Sequence, residues 1–145
     1  MNAIDDAVRA LLAADESLAP LDFDVVFAQG GTARVRLIPR PSSVNGHGIV
    51  HGGLVYALAD TAFACAANSV LPGTVTMSAT ITYLTPARAG EQLVAEAVVR
   101  HARGRQSLVD VTISTADRVI AEYRGHGLAR RERSAEALAP DATGG

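Results

Sequence analysis

Gly52-Gly53-Leu54-Val55-Tyr56-Ala57-Leu58-Ala59-Asp60-Thr61-Ala62-Phe63-Ala64-Cys65-Ala66-Ala67 is the most apolar segment of the chain, and its reading decides the fold. The expectation is a helix over about 52–69, ended by Pro72-Gly73. It is apolar nearly all round, so it must be buried on most sides. One residue breaks the pattern. Asp60 is the only side chain with a full formal charge between Arg40 and Arg88. A carboxylate loses its water on burial, at a cost. Folding alone gives no reason to place it there, which makes it the first functional candidate.

The flanking sequence supplies the sheet that such a helix needs. Ile4, Val8, Leu11 and Leu12 recur at helical spacing, so residues 2–16 should form a helix closed by Pro20. Leu21–Gln29 is rich in Val and Phe and reads as a strand, with Gly30-Gly31 as a two-residue hairpin turn. Ala33, Val35 and Leu37 alternate with Thr32, Arg34 and Arg36 in a return strand, ended by Pro39 and Pro41. Residues 41–50 are a loop.

Beyond the helix, Thr74–Thr85 alternates Thr76, Ser78, Thr80 and Thr82 against Met77, Ala79, Ile81 and Tyr83. Pro86–Gly90 is a turn, Gln92–His101 a strand, and Arg103-Gly104-Arg105 a second turn. Ser107–Thr115 and Val119–Arg130 form a last hairpin around Asp117-Arg118. There is no β-α-β alternation, which argues against a parallel, Rossmann-like sheet. The fold class is therefore α+β: an antiparallel sheet wrapped around one long apolar helix, with an extra N-terminal helix. Residues 1–130 are expected to be a single domain. Residues 131–145 are polar, Ala-rich and end in Gly-Gly, so a frayed, flexible tail is expected there.

Composition narrows the function classes. Hydrophobic residues make up 48% of the 145 and charged residues 19%, as in an ordinary soluble domain with one core. A net charge of −2 argues against a nucleic-acid partner or an anionic membrane surface. Cys65, the one cysteine, lies in an apolar run and reads as a buried, inert thiol. Asp5 and Asp6 stand where a secretion signal needs cations, and the longest apolar stretch falls short of the ~20 residues of a membrane span. A cytoplasmic protein is expected.

Asn45-Gly46-His47-Gly48-Ile49-Val50-His51-Gly52-Gly53, followed by Ala59-Asp60-Thr61-Ala62, resembles the signature of the hotdog-fold thioesterases, and among them the PaaI type, the phenylacetyl-CoA-like acyl-CoA thioesterases. Ile81-Thr82-Tyr83-Leu84-Thr85-Pro86, Gly104-Arg105 and Tyr123-Arg124-Gly125 also resemble that family. The element order matches the hotdog fold over roughly residues 20–130. A lone His-Gly-Gly would be weak. Asn, His-Gly-Gly and an Asp eight residues past the first Gly, on an apolar helix, form a specific pattern.

The chemistry of these residues can be argued independently. A thioester carbonyl becomes an oxyanion when it is attacked. Backbone N–H groups at a helix N-terminus are preset donors for that charge. Gly52 and Gly53 supply them, and without side chains they admit the substrate closely. A carboxylate must act as general base or as nucleophile, and Asp60 is the candidate. Eight residues of helix span about 12 Å. Attacking group and oxyanion donor must meet at one carbonyl, so Gly52 and Asp60 of one chain cannot serve the same thioester. The site is expected to combine Gly52 of one subunit with Asp60 of another in a two-fold dimer.

The resemblance implies the same dimeric arrangement, commonly paired again into tetramers, and a role of the phenylacetate-degradation kind with a small aryl acyl group. It places Asn45, which would orient the acyl carbonyl or the water, and His51, which would fix the loop or polarise the thioester, beside Gly52. Thr61 would hydrogen-bond near the acid. Thr76 stands where some relatives carry a Ser that holds the attacking water. Arg103 and Arg105 are candidates for the coenzyme A phosphates, against the plainer reading of solvated turn residues. No cofactor is implied, since coenzyme A is part of the substrate. His47 and His51 lie in a Gly-rich loop, not on a helix face, and do not read as a metal site. The rival readings are a non-catalytic acyl-CoA-binding module and a hotdog dehydratase.

Overall fold

The computed structural model describes residues 3–131. Six strands form one antiparallel sheet: β1 (Asp24–Gln29), β2 (Thr32–Leu37), β3 (Thr74–Tyr83), β4 (Leu93–Arg103), β5 (Gln106–Ser114) and β6 (Val119–Ala129), in the order β1-β2-β4-β5-β6-β3. The apolar segment is helix α2 (Gly52–Asn68), packed against the sheet. Its Leu58, Ala59, Ala62, Phe63 and Ala66 are fully buried. The sheet meets them with the inward residues of alternating strands, among them Val35, Leu93, Val109, Val111 and Ile113. The expected α+β hotdog architecture is the one found.

Phe63 can lie flat against the sheet only because β6 carries glycine beneath it. A Cβ at Gly125 would stand 2.6 Å from Phe63 Cδ2, and one at Gly127 would stand 2.9 Å from Phe63 Cζ. Asn68 fixes the way out of α2. Its buried amide donates to Ala64 O and Thr74 O, while its oxygen accepts from the Gly73 and Thr74 amides. This clamp sets where β3 starts relative to the helix.

Expectation and structure differ in α1, in β1 and in β3. The N-terminal helix α1 spans Asp6–Ala14 instead of 2–16, because the Asp5 side chain caps it by accepting from Ala7 N and Asp15 is already extended. The strand expected from Leu21 begins at Asp24, since Ala19–Leu21 is a 3-10 turn with Pro20 inside it and Asp22 turns left-handed at φ 56°. In β3 a bulge between Thr76 and Ser78 reverses the alternation. Thr76, Ala79 and Ile81 are half-buried, whereas Met77 is 56% exposed. Of the expected tail only Arg131 falls inside the described residues.

The two edges of the sheet differ. Along β1, Asp5 N donates to Ala28 O and Ala28 N to Ala3 O, so the N-terminal residues cover that edge. β3 is the open edge among the described residues.

Candidate active site

The loop before α2 is built around one side chain. Asn45 Oδ1 accepts from His47 N at 2.9 Å and from Ile49 N at 3.4 Å, and Gly48 turns with φ 76°. Backbone N–H groups only donate, so the oxygen of the amide is fixed inward and its NH2 group remains as a donor. Asn45 lines a cavity of about 380 Å³ together with Gly52, Tyr83 and Leu84. The resemblance implied that Asn45 lies beside Gly52, and the two line one cavity.

His51 is the N-cap of α2, and its Nδ1 accepts from Gly53 N at 2.9 Å. An acceptor Nδ1 puts the proton of the neutral ring on Nε2. The same bond answers which glycine amide is available. The Gly53 N–H is spent on His51, while the Gly52 N–H, first in the helix, donates to no described residue. The expected pair of oxyanion donors is thus one donor. Gly53 is needed for another reason: a Cβ there would stand 2.9 Å from His51 Nδ1. Behind the free amide, Tyr83 donates its hydroxyl to Gly52 O at 2.8 Å.

Asp60 lies two turns further along α2 and is half-buried. Its Oδ1 accepts from Thr76 Oγ1 at 3.0 Å and from the Tyr123 hydroxyl at 2.7 Å. Its Oδ2 accepts from no described residue. Tyr123 is 2% exposed, with its ring edge-on to Tyr56 at 5.7 Å between centroids. Burial, and then the Asp60 carboxylate, push the Tyr123 phenol above its ordinary range, so it stays a protonated donor. Two fixed hydroxyls on one oxygen hold the carboxylate plane and leave the other oxygen to act as base or nucleophile.

Thr76, expected from the resemblance to hold the attacking water, donates to the acid itself, whereas Thr61, expected near the acid, does not. The Thr61 hydroxyl donates to Ala57 O one turn back, at 2.8 Å. Arg103 and Arg105 line neither the Gly52 cavity nor a second one, of about 260 Å³, that Asp60 borders. With His101, Gln106 and His126 they border a third, of about 680 Å³, at the β4–β5 hairpin, where Arg105 also donates to Ala129 O. Cys65 is buried, and burial pushes its thiol up to about 12, which makes it inert near neutrality. No three His, Cys, Asp or Glu side chains among the described residues converge as a metal-ligand set. No helix among them is long and apolar enough to cross a membrane.

Gly52 and Asp60 of one chain thus occupy separate cavities, about 12 Å apart along the helix. Sequence reasoning missed Tyr123, Tyr83 and Asn68 as members of this arrangement. For Tyr123 a signal existed. The β6 alternation turns it inward with Ala121 and Gly125, and a lone buried acid requires donors.

Comparison with known proteins bears on the family and the fold. The family model of the thioesterase superfamily matches residues 47–122. The acyl-coenzyme A thioesterase PaaI of Escherichia coli K12 is 35% identical over 118 residues, covering 81% of this chain and 84% of that protein. The solved structure of E. coli PaaI, from the phenylacetic acid degradation operon, superposes with a TM-score of 0.83 at 32% identity, covering 86% of this chain and 91% of that one. A point mutant of the phenylacetic acid degradation protein PaaI from Thermus thermophilus gives a TM-score of 0.77 at 31% identity, covering 80% of this chain and 100% of that one.

Proposed function

Since this chain belongs to the thioesterase superfamily, we propose that it is an acyl-CoA thioesterase that hydrolyses R–CO–S–CoA to R–COOH and coenzyme A, with Asp60 driving the attack. The observation that carries this reading is the state of Asp60. Thr76 and Tyr123 hold Oδ1 and leave Oδ2 open. Oδ2 either takes the proton of an attacking water or adds to the carbonyl carbon itself. The free Gly52 N–H stabilises the oxyanion, and the Asn45 NH2 and His51 Nε2–H are further donors on the same side. The C–S bond then breaks and the thiolate leaves. On the covalent route the mixed anhydride left on Asp60 is then opened by water at the Asp60 carboxyl carbon, which releases R–COOH. By that route a single turnover in isotope-labelled water leaves label on Asp60, whereas general-base attack puts it in the product acid.

The two halves belong to different subunits. Among the described residues strand β3 is an open edge that exposes Val75, Met77 and Tyr83, with Leu84 just after it, a surface that favours pairing with another chain. Its Thr76 end touches Asp60 and its Tyr83 end touches Gly52. Antiparallel pairing of β3 with its copy sets the Thr76 end of one chain against the Tyr83 end of the other. Asp60 then approaches Gly52 of the second copy, and two equivalent sites result. The acyl group is a small aryl one of the phenylacetyl kind, on the likeness to PaaI. Arg103 and Arg105 take the coenzyme A phosphates.

The test is release of free thiol from a panel of acyl-CoAs. Asp60→Asn is expected to lower kcat by about 10²–10⁴-fold. If wild type releases no more thiol than Asp60→Asn on every acyl-CoA, the thioesterase reading fails and an acyl-CoA-binding role takes its place.

A further inference from the structure

Asp60 opens onto a cavity of about 260 Å³ that the N-terminal segment roofs. One wall is Leu11, Leu12, Leu18 and Leu21, from α1 and the turn after it. The opposite wall is the small-residue face of α2, including Ala57 and Ala64. The roof is anchored: Val8 of α1 is fully buried and Asp5 N is bonded to Ala28 O.

A thioester has two arms, and the two cavities beside Asp60 and Gly52 suit different ones. The coenzyme A arm carries amides and phosphates. Every hydroxyl donor around the Asp60 cavity is already committed: Ser17 to Asp15, Thr61 to Ala57 O and Thr74 to Leu71 O. An amide carbonyl placed there would go unpaired, at a cost. Asp15 and Asp60 both line this space, and their negative charge repels phosphates. The Gly52-side cavity, by contrast, is lined by no carboxylate and includes the NH2 group of Asn45. An apolar acyl arm fits the leucine-walled space, and the amide-bearing arm fits the other.

Resting on the thioesterase reading above, we infer that the cavity between α1 and α2 holds the acyl group, and that Leu11 and Leu18 of the N-terminal segment set the size accepted. Its 260 Å³ equals roughly nine water volumes at ~30 Å³ each, room for an aryl or medium-chain acyl group and too little for a long fatty chain.

Three variants test this through kcat/KM for acetyl-, butyryl-, octanoyl- and phenylacetyl-CoA. Ala64→Leu fills the cavity and should cost more as the acyl group grows, with a loss at least ~10-fold greater for phenylacetyl than for acetyl. Leu18→Ala enlarges it and should shift the ranking toward octanoyl. Leu84→Ala, in the Gly52-side cavity, should change all four by a common factor. Thermal melts check folding, and if Leu18→Ala does not fold, Ala64→Leu reads the same space from the opposite wall. An unchanged ranking in Ala64→Leu, or a size dependence that follows Leu84→Ala instead, overturns the assignment while thiol release continues. No thiol release by wild type on any of the four overturns the thioesterase reading itself, and the acyl cavity with it.

Discussion

The Tyr123 hydroxyl donates to Asp60 Oδ1 at 2.7 Å, linking residues 63 apart in the chain. Thr76 donates to the same oxygen from the edge strand. The carboxylate is therefore held by β6 and β3 together, and the geometry of α2 against the sheet becomes the geometry of the reacting group. No Arg or Lys is paired with Asp60 in either contact, so its charge is balanced by neutral donors in a half-buried position.

Tyr123→Phe removes one of these donors and little volume. A hydrogen bond to a charged group is worth about 1.5–3 kcal/mol. The expected result is a fall of roughly 10–100-fold in kcat with KM nearly unchanged, because the loss bears on the attacking group and not on substrate contacts. Steady-state thiol release measures both constants. A change confined to KM would place Tyr123 with substrate binding instead.

The cap on α2 gives a second prediction. His51→Ala removes the Nδ1 acceptor, and Gly53→Ala drives a Cβ to 2.9 Å from that atom and displaces the ring. Each should cost about 0.5–2 kcal/mol of stability, as lost N-caps do. Both remove the same bond, so the double variant should cost far less than the sum of the two. Urea melts of the three variants measure this. Additive losses would mean that Gly53 serves something other than the cap.

The fold was legible because the decisive signals were periodic: one all-round apolar helix, short alternating strands and Gly or Pro turns. Asp60 stood out because a charge in such a helix has no packing reason. What stayed hidden depended on contacts between distant segments. Alternation alone could not show the bulge beside Met77, which puts Thr76 on the inner face together with Ala79 and Ile81. An inward tyrosine on β6 looks the same whether it packs or donates, and only the fold sets Tyr123 over Asp60. Gly52 and Gly53 are chemically alike in sequence. The neighbour's imidazole distinguishes them by taking one amide and leaving the other.

Acid stability should report on the turn that borders the Gly52 cavity. Arg118 grips Glu91 with both terminal nitrogens, each at 2.7 Å, and also donates to Pro86 O. The Arg118 hydrogen bonds hold the Glu91 carboxyl down at about 2, against an ordinary 4.5. A depressed folded-state value means stabilisation that is complete above the unfolded value and lost as pH falls toward the folded one. The Tm difference between wild type and Glu91→Gln should therefore be constant above about pH 5 and close between pH 4.5 and about 2. A gap that persists unchanged down to pH 2 would rule out ionisation of Glu91 as its source.

The shared site makes the sharpest prediction. If Asp60 works with His51 and Gly52 of the other subunit, then Asp60→Asn and His51→Ala damage opposite halves of each site. A hybrid dimer collects both lesions in one site and leaves the other intact. Random exchange at equal concentrations puts half of the dimers in hybrid form, so about a quarter of all sites are restored. Mixed after subunit exchange, the two variants should regain about a quarter of wild-type thiol release, well above either alone. Within a single chain every copy carries one lesion, and no amount of mixing could restore activity. Exchange itself is followed with a tagged subunit, so that a lack of recovery with exchange complete counts against the two-chain site.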